Sequence, residues 1–277
     1  MSNHNRANDS LDRKPVRQPA AGGLPPVADD MMTSWRITHV EETESTNLLA
    51  RSGRPGDVFT ADYQTAGRGR LDHRWLAERG QNLMMSAVID VAGLEAEHAA
   101  TLPLAVGLAV VEGLRDMVPS LKLKWPNDVL AGGRKLAGIL CERHGDNAIA
   151  GIGVNVRQRE FPSEIADRAT SLAILGSDVS VAKVRDAVLE ALSQVVAAWR
   201  SGFAAIYPRI VSIDYLAGRQ IAVRQLDDAA PSASGVCGGI QPDGSLLVGG
   251  SPVWAGEAHV EQCRGTFSTG EQWRQTQ

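Results

Sequence analysis

Residues 124–142 read KWPNDVLAGGRKLAGILCE. The glycine pair Gly132–Gly133 marks a tight turn, because glycine supplies backbone angles that other residues resist. LKLKW (121–125) before it and KLAGILCE (135–142) after it read as strands, and AIAGIGVNV (148–156) follows as a third. Three strands in quick succession, with no helix between them, do not alternate strand and helix as a doubly wound parallel sheet requires. The fold class is therefore α+β. Upstream, WRITHVEET (35–43), DVFTADYQ (57–64) and NLMMSAVID (82–90) are strands, and STNLLARS (45–52) opens a helix with Ser45 or Thr46 placed to cap it. HAATLPLAVGLAVVEGLRDM (98–117) is apolar on most faces and reads as one buried helix.

Downstream, Val181, Val184, Val188, Leu192, Val195 and Trp199 recur at spacings of three and four, between Ser180 and Gly202. That spacing predicts an amphipathic helix. Past Tyr215 the texture changes to short strands broken by Gly, Pro and Asp, with QPDGSLL (241–247) a hairpin signal. A small β-barrel over 216–265 is expected, appended to a main domain over 35–215. Residues 1–34 carry almost no large apolar side chains and read as a disordered extension. Residues 266–277 read as a flexible tail.

With 277 residues, 43% of them hydrophobic, the chain can bury a sizeable core. A net charge of −4 argues against a dedicated nucleic-acid binder. The three cysteines, Cys141, Cys237 and Cys263, show no C-x-x-C spacing, which fits a reducing compartment better than a disulfide framework or a zinc site. No signal-peptide h-region and no membrane-spanning apolar run is visible, so a cytoplasmic protein is expected.

The chemistry concentrates in two segments. TAGRGRLDHRW (65–75) sets glycines 67 and 69 among Arg68 and Arg70 and ends on Trp75. Glycine lets backbone N–H groups approach an anion, and each guanidinium is a planar, always-charged donor. Taken alone, this is as easily an exposed arginine loop whose tryptophan plugs the core. In the second segment, Lys124, Asn127, Asp128 and Lys135 flank the glycine turn, and Gly138 permits close approach on a strand. Each has an ordinary reading, as an Asx turn or a hairpin lysine. Together the two segments outline one anion-binding pocket. GIGVNV (151–156) is no dinucleotide fingerprint, since Val156 stands where the third glycine belongs.

ESTN (44–47), YQTAGRGR with its following Trp75, KWPNDVL, RKLAGIL and GIGVNV, in that order, resemble the biotin–protein ligases from about Ser45 to Gly249. The resemblance implies a class II synthetase-like mixed and antiparallel sheet flanked by helices, with a small C-terminal β-barrel. It implies ATP-dependent formation of biotinyl-5′-AMP, with Mg²⁺ on the phosphates, and transfer of biotin to a lysine of a biotin carboxyl carrier protein. Residue by residue, it puts Ser45, Thr46, Asn47 and Gln64 at the ureido ring of biotin, and Gly67, Arg68 and Gly138 along its tail. Arg70 matches a phosphate contact, and Lys135 the lysine near the carboxylate and α-phosphate. Trp75, Asn127 and Asn155 fall on the nucleotide side. Lys124 and Asp128 fall near the reaction centre, with Asp128 guiding the incoming lysine. Arg68, Arg70, Lys124, Asp128 and Lys135 are the expected catalytic set. A monomer or weak homodimer is expected.

One departure stands out. The family loop usually reads G-R-G-R-x-G-R-x-W, whereas here Asp72 replaces the third glycine and His73 the next arginine, with Arg74 one residue on. A looser loop is expected from this. A lipoate or octanoate ligase of the same fold is the nearest rival, though it has no need of polar groups for a ureido ring. A DNA-binding regulator of the family would need about 60 residues with apolar helices, which residues 1–34 do not offer.

Overall fold

The computed structural model describes Met1 and residues 35–70, 73–224 and 231–261. The rest of the expected N-terminal extension, the tail 266–277, Asp72 and Cys263 lie outside the described residues. The elements belong to one compact unit, Thr33–Gln277.

In chain order the elements are β1 (Arg36–Thr43), α1 (Thr46–Ala50), β2 (Asp57–Gln64), β3 (Asn82–Asp90), α2 (Ala96–Ala100), α3 (Leu102–Gly113), β4 (Leu121–Lys124), β5 (Asp128–Ala131), β6 (Arg134–His144), β7 (Asn147–Asn155), α4 (Val181–Arg200), α5 (Tyr207–Ser212), β8 (Gln220–Arg224), β9 (Ala233–Ile240), β10 (Leu246–Val248), β11 (Ser251–Val253) and β12 (Glu257–Val260). The first seven strands form one sheet in the order β1-β2-β3-β7-β6-β5-β4. Only β1 and β2 run parallel; the other neighbours are antiparallel.

Side chains alternate across a strand, and here the two faces of the sheet differ in kind. Leu83, Met85, Ala87 and Ile89 of β3, with Ala148, Ala150, Ile152 and Val154 of β7, join one core with residues of α3 and α4. On the other face the paired rows are Met84–Gly153–Gly138, then Ser86–Gly151–Leu140, then Val88–Ile149–Glu142. α1 covers part of this second face, packing on β2, β3 and β7. Its Ala50 joins Val88, Ile149 and Phe59 in a small cluster.

Several expectations are corrected in detail. The single helix over 98–117 is two, divided at Thr101, because Pro103 lacks an N–H and suits only a first turn. Ser45 does stand at the N-cap of α1, but its side chain makes no capping bond. β5 was not expected: three apolar residues between a turn and a glycine pair are too few to show a period, so Asp128 opens a strand and Gly132–Gly133 join β5 to β6. α5 was equally invisible. β1 has the expected pattern yet is mostly exposed, with Ile37 at 41%, because it is an edge strand.

The C-terminal strands form a five-stranded antiparallel sheet in the order β11-β10-β9-β8-β12. The expected turn at 241–245 joins β9 to β10, and Asp243 accepts from Ser245 N at 2.9 Å. Polar ties fasten this sheet to the first. The Trp125 indole donates to Gly244 O at 3.1 Å, the Tyr207 hydroxyl to Ile240 O at 3.0 Å, and Ile240 N to Asp214 at 3.0 Å.

α4 behaves as its spacing predicts. Val184, Val188, Leu192, Val195 and Trp199 are fully buried, and Ser180 accepts from Lys183 N at 3.2 Å as the cap. Leu192→Ala is expected to cost about 2–5 kcal/mol and Ser180→Ala about 1 kcal/mol, both read from urea denaturation. A Leu192→Ala loss below that of Ser180→Ala would contradict this packing.

Candidate active site

The floor of the site is backbone. Gly138 on β6 and Gly153 on β7 are register partners, so two adjacent strands present no side chain at the same level. The Trp75 indole lies on this bare patch: a Cβ at Gly153 would stand 2.6 Å from the ring, and one at Gly138 would stand 3.1 Å away. Its indole nitrogen is buried with no hydrogen-bond partner, which costs about 1–3 kcal/mol. One row on, Gly151 leaves room for the Asn47 amide of α1. Around this floor the chain forms one cleft.

One wall is a buried polar chain. Gln64 Oε1 accepts from Thr46 N at 2.7 Å and lies 3.0 Å from Thr46 Oγ1. Ser86 Oγ is 2.7 Å from Thr46 Oγ1 and 2.6 Å from Asn47 Oδ1. Asn47 Nδ2 donates to Glu142 Oε2 at 2.6 Å. Alone, a five-residue helix is marginal, and these bonds hold α1 on the sheet.

The opposite wall is cationic. In the loop, Arg68 pairs with Arg74 as a short β-bridge, Gly69 N donates to His73 O at 2.6 Å, and Trp75 N donates to Gly67 O at 3.0 Å. Arg68, Arg70 and Arg74 line the cleft together with Lys135. Lys135 Nζ stands 2.6 Å from Asp128 Oδ1 and 5.9 Å from the Trp75 ring centre. Its backbone is locked to the next segment through Arg168 O at 2.7 Å and Thr170 N at 2.9 Å. Burial pulls the Arg70 guanidinium below the ordinary arginine range, against the opposing pull of Glu257 and Asp128.

β12 closes the site. Arg70 Nη1 donates to Gly256 O at 3.4 Å, and His73 Nδ1 is 3.3 Å from Glu257 Oε1. Beside it, burial and then the Lys124 charge, with Arg224 and Arg168 behind, hold the His259 imidazole below the ordinary histidine value, while Glu257 opposes them. Lys124, Arg168 and Arg224 thus gather positive charge around His259, which lies 3.7 Å from Glu257. Burial, then Glu142, push the Cys141 thiol up to about 12.

Of the residues singled out in the sequence, Ser45, Thr46, Asn47, Gln64, Arg68, Arg70, Trp75, Asn127, Asp128, Lys135 and Gly138 line this one cleft. Asn127 is held at its edge, its amide donating to Ile139 O at 2.7 Å. Three others stand outside the lining. Gly67 lies against the Trp75 backbone and the Gln64 amide, Lys124 stands opposite Asp128 in the β4–β5 pair, and Asn155 is buried with its amide on Thr170 O at 3.0 Å. Asn155 thus braces the segment that locks Lys135. Ser86, Glu142, Gly151, Gly153 and Glu257 had not been singled out. The alternation of GIGVN held the signal for both glycines; nothing local marks Glu257, which reaches the site from the second sheet.

The sequence pattern of the biotin/lipoate A/B protein ligase family matches residues 35–158. A biotin–[acetyl-CoA-carboxylase] ligase of Paracoccus denitrificans is 31% identical over 225 residues, covering 75% of this chain and 92% of the relative. The chain belongs to the biotin/lipoate A/B protein ligase family. A relative of the same name from Mycobacterium tuberculosis is 37% identical over 187 residues, 64% of this chain and 66% of that one. The bifunctional ligase/repressor BirA of Bacillus subtilis is 37% identical over 134 residues. The matched region spans under two thirds of each of these two relatives, 66% and 41%. Among solved structures, the Aquifex aeolicus biotin protein ligase in complex with biotin and ATP superposes with a TM-score of 0.72 at 31% identity. It covers 82% of this chain and 99% of the other. The family match holds the loop, the floor and Lys135, while Glu257 and His259 lie beyond it.

A side chain under the indole should eject it. Gly153→Val is expected to red-shift Trp75 emission and expose it to acrylamide, read as the difference between each protein and its Trp75→Phe counterpart. An unchanged difference spectrum would show that the indole does not rest on Gly153.

Proposed function

We propose that the chain activates biotin with ATP to biotinyl-5′-AMP, releasing pyrophosphate, and then transfers biotin to a lysine of a biotin carboxyl carrier protein. The observation that carries this reading is one cleft that brings together a hydrogen-bonded polar chain, four cations and a bare glycine floor. A fused bicyclic ring needs flat floor space and polar groups for its ureido edge. The cations serve the chemistry at the other end of the molecule.

In the first step a biotin carboxylate oxygen attacks the α-phosphorus of ATP and the bond to pyrophosphate breaks. Both reactants are anionic, so Arg68, Arg70 and Lys135 lower their repulsion and follow the charge onto the leaving group. Mg²⁺ enters with the nucleotide as MgATP. Among the described residues no group of three His, Cys, Asp or Glu side chains is placed to hold a metal; Asp128 and Glu257 are the carboxylates that would face it. Packing around the ligand keeps water from the mixed anhydride.

In the second step a neutral acceptor lysine attacks the acyl carbon and AMP leaves. Asp128, 2.6 Å from Lys135 Nζ, supports the role of orienting the amine and taking its proton once Lys135 has turned to the ligand. The positive charges of Lys124, Arg168 and Arg224 around His259 support an acceptor that is acidic around its lysine. Among the described residues no helix is long and apolar enough to cross a membrane.

Biotin-dependent exchange of labelled pyrophosphate into ATP tests the first step. Exchange is expected with biotin and not with lipoate or octanoate, and Lys135→Ala should lower it about 10²–10³-fold. Exchange with lipoate alone, or none with any acid from folded protein, would overturn the reading.

A further inference from the structure

We infer that Glu142 is a positioning residue that fixes the hydrogen-bond polarity of the polar wall and so sets the affinity for biotin; the inference rests on the function proposed above. Glu142 ends the third row of the sheet's site face and does not line the cleft itself. Its two oxygens hold two residues of the α1 segment four positions apart. Oε2 accepts from Asn47 Nδ2 at 2.6 Å, and Oε1 accepts from Arg51 Nη2 at 3.4 Å.

The consequence follows from counting hydrogens. A carboxylate only accepts, so the Asn47 amide must turn its nitrogen toward Glu142. Its second N–H then faces Leu140 O at 3.4 Å, and its oxygen faces Ser86. That oxygen has no hydrogen, so the Ser86 hydroxyl donates to it. Two short contacts remain, Ser86 Oγ to Thr46 Oγ1 at 2.7 Å and Thr46 Oγ1 to Gln64 Oε1 at 3.0 Å. Only the Thr46 hydrogen is left for them. Whichever it takes, Thr46 has no hydrogen for the cleft, and its oxygen faces a ligand as an acceptor. Gln64 Oε1 is held by Thr46 N, which leaves Nε2 as the donor of that side chain. An acceptor beside a donor is the complement of a ureido N–H beside its carbonyl. An alkyl chain or a dithiolane offers neither.

Glu142→Gln removes the constraint, because an amide presents either an acceptor or a donor to Asn47. Asn47 then turns over, Ser86 donates to Thr46, and one of the two lone pairs of Thr46 Oγ1 is taken up inside the wall before the ligand arrives. By calorimetry, the biotin Kd should rise about tenfold or more. The KM for MgATP and kcat at saturating biotin should stay within about threefold. Asn47→Asp alone sets two carboxylates face to face and should be worse. The double variant Asn47→Asp/Glu142→Gln restores an acceptor facing Ser86 and a donor facing residue 47, and biotin affinity should recover to within about threefold of the parent.

A purely structural role for Glu142 would lower melting temperature, biotin affinity and MgATP affinity together, with no recovery in the double variant; that result would overturn the inference. If Glu142→Gln does not fold, the double variant carries the test alone: folded Asn47→Asp/Glu142→Gln that bound biotin about tenfold or more weaker than the parent would be equally contrary. If the parent protein binds no biotin, the proposed function falls and takes the inference with it. If the parent binds and Glu142→Gln binds as tightly, only the inference falls.

Discussion

Bare backbone at Gly138, Gly151 and Gly153 is the constraint on which the rest of the site depends. The same strands must bury Ile139, Ile152 and Val154 against α3 on one face while keeping the other face free of side chains. Strand alternation meets both demands at once, so Gly151 and Gly153 stand two residues apart in GIGVN. The cost is conformational, since glycine in a strand has no side chain to pack and more freedom to lose on folding. Here β3 and β6 flank β7 on both sides and supply the order that the glycines do not.

On that floor the site separates two kinds of electrostatics. The wall from Gln64 to Glu142 is buried at its centre, Thr46, Asn47 and Ser86, and its hydrogen bonds are committed within the protein, which makes it rigid and directional. The cationic wall is more open, and its charges are balanced mainly by Asp128 and Glu257. A guanidinium as buried as that of Arg70 needs such partners. Glu257 brings the second sheet into the account: residues beyond the family match complete the environment of a loop inside it. His73, standing where the family usually has arginine, contacts Glu257 in this arrangement.

Much of the fold was legible because the strong signals were local. NLMMSAVID and the α4 face have patterns long enough to name their element, and both have the expected bounds within a residue. β5 and α5 are short and were hidden. The helix over 98–117 was read as one because apolar residues run through it, while Pro103 quietly restarts it. For the site, the glycine–arginine loop and the lysine after the turn were legible through their residue types. Ser86 and Glu142 were not, because a serine inside an apolar strand and a glutamate at a strand end have ordinary readings until the register aligns them. Asn155 shows the reverse: a polar residue in a telling motif that turns inward to brace a neighbouring segment.

The central claim is that the Gly138–Gly153 floor is the seat of the biotin ring and that Trp75 rests there until the ligand arrives. A crystal structure with a non-hydrolysable analogue of biotinyl-5′-AMP tests it most directly. The account predicts the bicyclic ring on the two glycines, its ureido edge against Thr46 and Gln64, and the indole moved off the floor. A ligand bound elsewhere, with the indole still seated on Gly153, would contradict it.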